Sequence, residues 1–415
     1  MRRDRILGIA LVALLAALAA AAQGMPDFSK IVILGDSLSA GFWNGSLNER
    51  GQEHSYGVLL AQQAGTSLAL PLVSYPGIPI ALKLQGFDPA TGLPIIVADG
   101  TQEGSLENPT NQPTNLAVPG QTSVDCLSEV PDDQMNSMTD LVLGFPWVYV
   151  EQNAPLSQVG LAQQLNPTFI VLWIGANDVL GGALAGDPSL TIPSSLFSQT
   201  YPAILQALGG TGAKLVIANL PDVTVIPALT KGATLKSMGI DLKVLGIKKG
   251  DYVTPDGLAH LELILTGQAT GPLTAGEVLT ASEAKQIQKI VKEDNKTVKK
   301  MGEQFHCPVV DVYGDLNTIS KKGYTLPGGQ LLTTAFLGGI FSLDGVHPTY
   351  SGQAIVANYF IDAINKYYGT HLEAVEVPAP ERSPEPAEGM VSGGLNLPKI
   401  PHGALAPFMK VQAAH

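Results

Sequence analysis

Two short segments, far apart in the chain, hold residue types that can do chemistry together. Gly35-Asp36-Ser37-Leu38-Ser39 begins where an apolar run ends, and Asp344-Gly345-Val346-His347-Pro348 follows about three hundred residues later. A serine hydroxyl is a weak nucleophile until a base takes its proton. Histidine suits that task because its pKa lies near neutral pH. The base must be held in one tautomer, and a carboxylate can do that. A spacing of three residues lets Asp344 turn back onto the ring of His347.

Two intervening segments supply what a serine nucleophile lacks. They are Asn115-Leu116-Ala117-Val118-Pro119-Gly120-Gln121 and Ile174-Gly175-Ala176-Asn177-Asp178. Acyl transfer builds negative charge on a carbonyl oxygen, and losing one fixed N–H donor there costs about 10²–10³ in rate. Gly120 offers a backbone N–H at close approach, Asn177 its side-chain amide, and Ser37 its own N–H at the positive end of the helix it begins. Each segment also has an ordinary reading. Ser37 suits a helix cap, Asp344-Gly345 a surface turn, Pro119-Gly120 a turn, and Asn177-Asp178 a cap. Their order along the chain, with Ser37 and Asn177 each just past an apolar run, favours chemistry. Asp36 is expected to brace the turn and Asp178 to cap the helix after Asn177. Phe42, Trp43, Leu180 and Tyr350 flank the segments and read as core or as lining of an acyl pocket.

The four segments together resemble four sequence blocks of the SGNH (GDSL) hydrolase family. The resemblance spans residues 31 to about 359. It implies a flavodoxin-like three-layer α/β fold and ester hydrolysis through an acyl-enzyme, with no cofactor and no metal. It casts Ser37 as nucleophile, His347 and Asp344 as its partners, and Ser37, Gly120 and Asn177 as the oxyanion hole. The second block lies far from the first, which implies a large insertion over 75–115. The α/β-hydrolase alternative wants Gly-x-Ser-x-Gly, and the residue two after Ser37 is Ser39.

These residues need a scaffold, and the apolar patterning provides one. Lys30–Leu34, Thr168–Ile174, Ala213–Ala218 and Pro308–Val312 are near-continuous apolar runs, with Leu68–Val73 a weaker one. Such runs suit strands buried on both faces of a parallel sheet. Helical spacing appears at Tyr56–Ala64, Ser157–Gln164, Leu196–Leu208 and Ser351–Tyr368. The longest pattern, Ala281–Phe305, opens with the capping-box signature Thr280-x-x-Glu283. Strands alternating with helices predict a mostly parallel, doubly wound sheet. The hydrolase domain is placed at 28–370, with long insertions at about 75–150 and 221–276. Glu373 to His415 is rich in Pro and Gly and reads as a flexible tail, the alternative being an ordered surface strap.

Composition narrows the function further. Arg2, Arg3 and Arg5 precede the apolar run Ile6–Ala22, which closes on three alanines. That is the layout of a cleaved secretory leader over 1–22, and it predicts a periplasmic or extracellular protein. An uncleaved anchor is the alternative. The formal charge is −12, and removing the leader's +2 leaves −14. This argues against nucleic acid as a partner. A small-molecule or lipid ester is the expected partner, with transient contact to a lipid surface. Leu70, Leu72, Ile78, Ile80, Leu82 and Leu84, in and before the first insertion, suggest an apolar acyl chain. A carbohydrate acetylesterase is the alternative, and a catalytically lapsed lipid- or glycan-binding protein the next. Cys126 and Cys307 can pair after export or remain separate thiols. His54, His260, His306 and His371 read as surface or packing residues.

Overall fold

A computed structural model describes residues 24–89, 92–134, 136–145 and 155–380. The expected leader over 1–22, part of the first expected insertion and the chain after 380 lie outside the described residues. In chain order, the elements that frame the site and its surroundings include β1 (Ile31–Gly35), α1 (Ser37–Ala40), α2 (Tyr56–Gln63), β2 (Leu82–Phe87), β3 (Pro94–Ala98), α3 (Ser123–Ser128) and α4 (Gln158–Gln164). Then come β4 (Phe169–Trp173), α5 (Asn177–Leu184), α6 (Ser194–Gly209), β5 (Lys214–Ala218), β6 (Thr230–Lys231), β7 (Tyr252–Val253), α7 (Pro255–Leu265) and β8 (Val278–Leu279). The last are α8 (Ala281–Gln304), β9 (Val309–Val310), α9 (Val312–Lys322) and α10 (Tyr350–Tyr368).

The central sheet is parallel, in the order β1-β4-β5-β9. Its strands read as unbroken apolar runs because alternate side chains enter two different cores. Ile31, Ile33, Phe169, Val171 and Val216 pack under α2 and α10. Val32, Leu34, Ile170, Leu172 and Leu215 pack under α4, α6 and α8 on the other face. The expected helices form, and Thr280 and Glu283 close the capping box of α8.

One strand expectation is corrected. Leu68–Val73 is not a strand, and Val73 makes only an isolated bridge to Leu106. The outer partner of β1 is the segment 114–118. Ile33 N–H donates to the Thr114 carbonyl at 2.9 Å, and Leu116 N–H to the Ile33 carbonyl at 2.8 Å. Leu116, Ala117 and Val118 are buried there, but Pro113 and Pro119 bracket a run too short to show strand periodicity. β1 thus lies between neighbours the chain reaches in opposite directions, which makes its carboxyl end a topological switch point.

The two long stretches carry structure of their own. β2 and β3 form an antiparallel hairpin. β6, β7 and β8 form a small antiparallel sheet, beside which Leu235, Leu245, Leu258 and Leu261 make a separate apolar cluster. Leu93, from the hairpin, joins that cluster. No helix among the described residues is long and apolar enough to cross a membrane.

The expectation of a tail outside the core from Glu373 is corrected for residues 373–380. This segment is a strap along α10. Ser351 Oγ donates to the Pro378 carbonyl, Asn358 exchanges two hydrogen bonds with the Val375 backbone, and Asn365 exchanges two with Leu372. Seven residues of helix rise about 10.5 Å and three extended residues span about 10 Å. Side chains spaced by seven on α10 therefore meet every third strap residue. Val375 and Val377 then pack against the two cores. Asn358→Ala is expected to release the strap at its midpoint. Limited proteolysis with mass analysis should show cleavage between 370 and 380 at least tenfold faster than in the wild type, while α10 stays intact.

Candidate active site

β1 delivers Ser37 to the switch point. A Cβ on Gly35 would collide with the Trp173 carbonyl and Ser39 Oγ, so only glycine fits between β1 and β4. Asp36 caps α1, accepting from Leu38 N–H at 3.0 Å. Its other carboxylate oxygen has no hydrogen-bond partner among the described residues. Asp36 therefore does brace the turn, as its place beside Ser37 suggested.

Ser37, His347 and Asp344, separated in sequence, meet at hydrogen-bond distance and are all buried. His347 Nε2 lies 2.8 Å from Ser37 Oγ, and His347 Nδ1 lies 3.0 Å from Asp344 Oδ2. With Asp344 ionised, Nδ1–H donates to the carboxylate and Nε2 is left to accept from the serine hydroxyl. Asp344 Oδ1 also accepts from Val346 N–H and His347 N–H at 2.8 Å each. Oδ2 accepts from Gly45 N–H at 2.7 Å. Burial alone would raise the Asp344 carboxyl, but the charge of His347 and these hydrogen bonds hold it below the usual carboxylate value. Phe42 packs against the His347 ring, with centroids 4.7 Å apart.

The expected oxyanion donors are tied to this cluster. Gly120 has φ +84°, a conformation glycine adopts freely. Asn177 begins α5, and its Nδ2 donates to the Gln121 carbonyl at 2.9 Å. Asn177 shares a cavity wall with Ser37 and His347. Gly120 does not line that cavity; it is held to the site through its neighbours. Val118 N–H donates to the Gly35 carbonyl at 3.1 Å. The N–H groups of Ser37 and Gly120 donate to no group among the described residues. Asp178, expected only to cap α5, instead accepts from both Ser123 N–H and Ser123 Oγ, joining α5 to α3.

The cavity beside Ser37 encloses about 80 Å³ and is almost wholly apolar. Leu180, Val223, Ile226, Leu316, Ile319 and Ile355 line it. This corrects the expected source of apolar surface: none of Leu70, Leu72, Ile78, Ile80, Leu82 or Leu84 lines it. Leu82 is instead buried with Ile96 and Phe336. The lining comes from α5, α9, α10 and the segment after β5 that carries Val223 and Ile226; of Phe42, Trp43, Leu180 and Tyr350, Leu180 lines it. Trp43 and Tyr350 stack on each other in a second, more polar groove. Cys126 and Cys307 are free buried thiols, both raised by burial. His260 pairs with Glu277, and His54 stacks on Tyr350.

The chain belongs to the GDSL-like lipase/acylhydrolase family, whose model matches residues 31–360. It is an ester hydrolase of that family. No match is found among the curated proteins. Similar solved structures include the lipase/acylhydrolase from Enterococcus faecalis, at 15% identity and a TM-score of 0.34, covering 84% of this chain and 98% of that one. A catalytic mutant of an acetylxylan esterase from Geobacillus stearothermophilus matches at 12% identity and a TM-score of 0.39, covering 82% and 95%. An α/β hydrolase from the metagenome of Lake Arreo matches at 14% identity and a TM-score of 0.37, covering 83% and 99%.

Two buried carboxyls give the site a pH signature. Burial pushes Asp36 and Asp178 up to about 7, despite the hydrogen bonds from Leu38 and Ser123. Both start from an ordinary value of 3.8. Between those pH values the folded state keeps protons that the unfolded state releases. Stability from these groups is full below the unfolded value and is lost as pH rises through about 7, by about 1.4 kcal/mol per pH unit per group. Asp344, being lowered, loses its contribution in the opposite direction, as pH falls through its folded value. The melting temperature is expected to decline from pH 5 to pH 8. Asp178→Asn should make the decline shallower, and an unchanged slope would exclude Asp178 as its source.

Proposed function

We propose that this protein hydrolyses carboxylic esters of apolar acyl chains through a covalent acyl-enzyme on Ser37. The observation that carries this reading is the buried series Ser37 Oγ–His347 Nε2 at 2.8 Å and His347 Nδ1–Asp344 at 3.0 Å. Ser37 attacks the ester carbonyl while His347 takes its proton. Asp344 holds the imidazole and stabilises the imidazolium that forms. The oxyanion is received by Ser37 N–H, Gly120 N–H and the Asn177 amide. His347 then gives its proton to the leaving alcohol. Water, activated by the same ring, attacks the ester carbonyl of the acyl-enzyme and restores Ser37. The apolar cavity ending on Ser37 supports an acyl chain as the group it receives. Export through the leader over 1–22 belongs to the same proposal.

Hydrolysis of p-nitrophenyl esters from acetyl to palmitoyl tests it. Ser37→Ala is expected to abolish turnover, and Asp344→Asn to lower kcat about 10⁴-fold. Asn177→Ala should cost about 10²–10³ in kcat with KM little changed. Turnover retained in Ser37→Ala would overturn the assignment. Ile355→Trp, which fills the cavity, should move the preference towards shorter acyl chains. A wild-type preference for acetyl alone would favour the sugar-acetyl alternative.

A further inference from the structure

Gln158 is the first residue of α4, directly after its cap Ser157, and is fully buried. A carboxamide has two N–H donors and one carbonyl acceptor, and all are engaged. Its Oε1 accepts from Gly35 N–H at 2.9 Å, and its Nε2 donates to the Gly35 carbonyl at 2.9 Å. The same Nε2 donates to Gln121 Oε1.

The place of these bonds gives them meaning. In a regular parallel ladder the Gly35 N–H would go to the Leu116 carbonyl. Ile33 follows that pattern with Thr114 and Leu116, and Val118 N–H still reaches Gly35. At Gly35 the ladder opens, and the Gln158 amide takes the vacated N–H. It therefore holds the last β1 residue before Asp36 and Ser37. Through Gln121 it also holds the loop that follows Gly120. Gln121 is fixed from its far side by Thr139 Oγ1 at 2.9 Å, and its carbonyl receives Asn177 Nδ2. One side chain thus joins the turn carrying Ser37 to the 118–121 loop, which carries Gly120 and accepts from the Asn177 amide.

We propose that Gln158 is a positioning residue that sets the distance between Ser37 and the oxyanion donors. The inference rests on the roles given above to Ser37, Gly120 and Asn177. Gln158 touches no substrate. Misplacement by about 1 Å at such a site can cost about 10² in rate, so the clamp acts on the transition state more than on substrate binding.

The test compares Gln158→Glu and Gln158→Met with wild type, counting functional sites by complete titration of Ser37 with an organophosphonate. Both variants are expected to lose about tenfold to a hundredfold in kcat per titrated site, with KM within about twofold. Butylboronic acid, whose boron becomes tetrahedral on accepting Ser37 Oγ, should lose affinity by the same factor. In Gln158→Glu the ratio to wild type should recover as pH falls, because a protonated carboxyl regains one donor. Gln158→Met should show no such recovery. Wild-type kcat per titrated site in both variants would overturn the proposal, as would a loss of kcat with unchanged boronic acid affinity. Activity surviving in Ser37→Ala would instead remove the triad reading beneath it.

Discussion

A buried negative charge organises this molecule. Asp344 has no access to water, and an uncompensated carboxylate in such a place is costly enough to neutralise itself. Four donors keep it charged: the Val346 and His347 backbone, the His347 ring and Gly45 N–H. Gly45 comes from the loop after α1, 299 residues away in sequence. Satisfying the carboxylate therefore pulls the segment after Ser37 onto the loop that carries His347. Asn44 reinforces the join, donating from its backbone to Ser342 and accepting from Leu343 N–H. The geometry between Ser37 and His347 is a consequence of that join.

The parallel sheet supplies the other half of the arrangement. At the carboxyl end of β1 the strands part, because the chain reached by 114–118 lies on one side and β4 on the other. Ser37 and Asn177 follow neighbouring strands into the crevice, and the 118–121 loop closes its third side. Backbone groups freed where strands part must find partners. Gln158 provides them for Gly35, while the N–H groups of Ser37 and Gly120 stay free of partners among the described residues. In the proposed mechanism these are the groups left to receive the oxyanion.

Much of this was legible in the residues. The apolar runs of β1, β4 and β5 stood out because both faces of the sheet are covered, and the Thr280–Glu283 box marked the start of α8. Other parts were hidden for physical reasons. The segment 114–118 is a strand only because β1 lies beside it. The strap over α10 depends on Ser351, Asn358 and Asn365 facing the same way, and a period of seven in polar residues looks like an ordinary solvated stripe. The apolar residues in and before the hairpin pointed to an acyl site because they were numerous, yet none of them lines the cavity beside Ser37. Gln158 looked like one more polar residue in a short helix.

The sequence by itself determined the class of chemistry, ester hydrolysis, and the order in which residue types suited to nucleophile, base, orienting carboxylate and oxyanion donor occur. Those are local properties, carried by side-chain type and by position at the end of an apolar run. Tertiary structure alone decided which apolar side chains surround Ser37, which polar group bridges Gly35 to Gln121, and where the chain beyond α10 begins to lie on the surface. Each of these depends on a contact between segments far apart in the chain. Such a contact is selected by packing and hydrogen-bond satisfaction in three dimensions, and it leaves no periodicity in either partner.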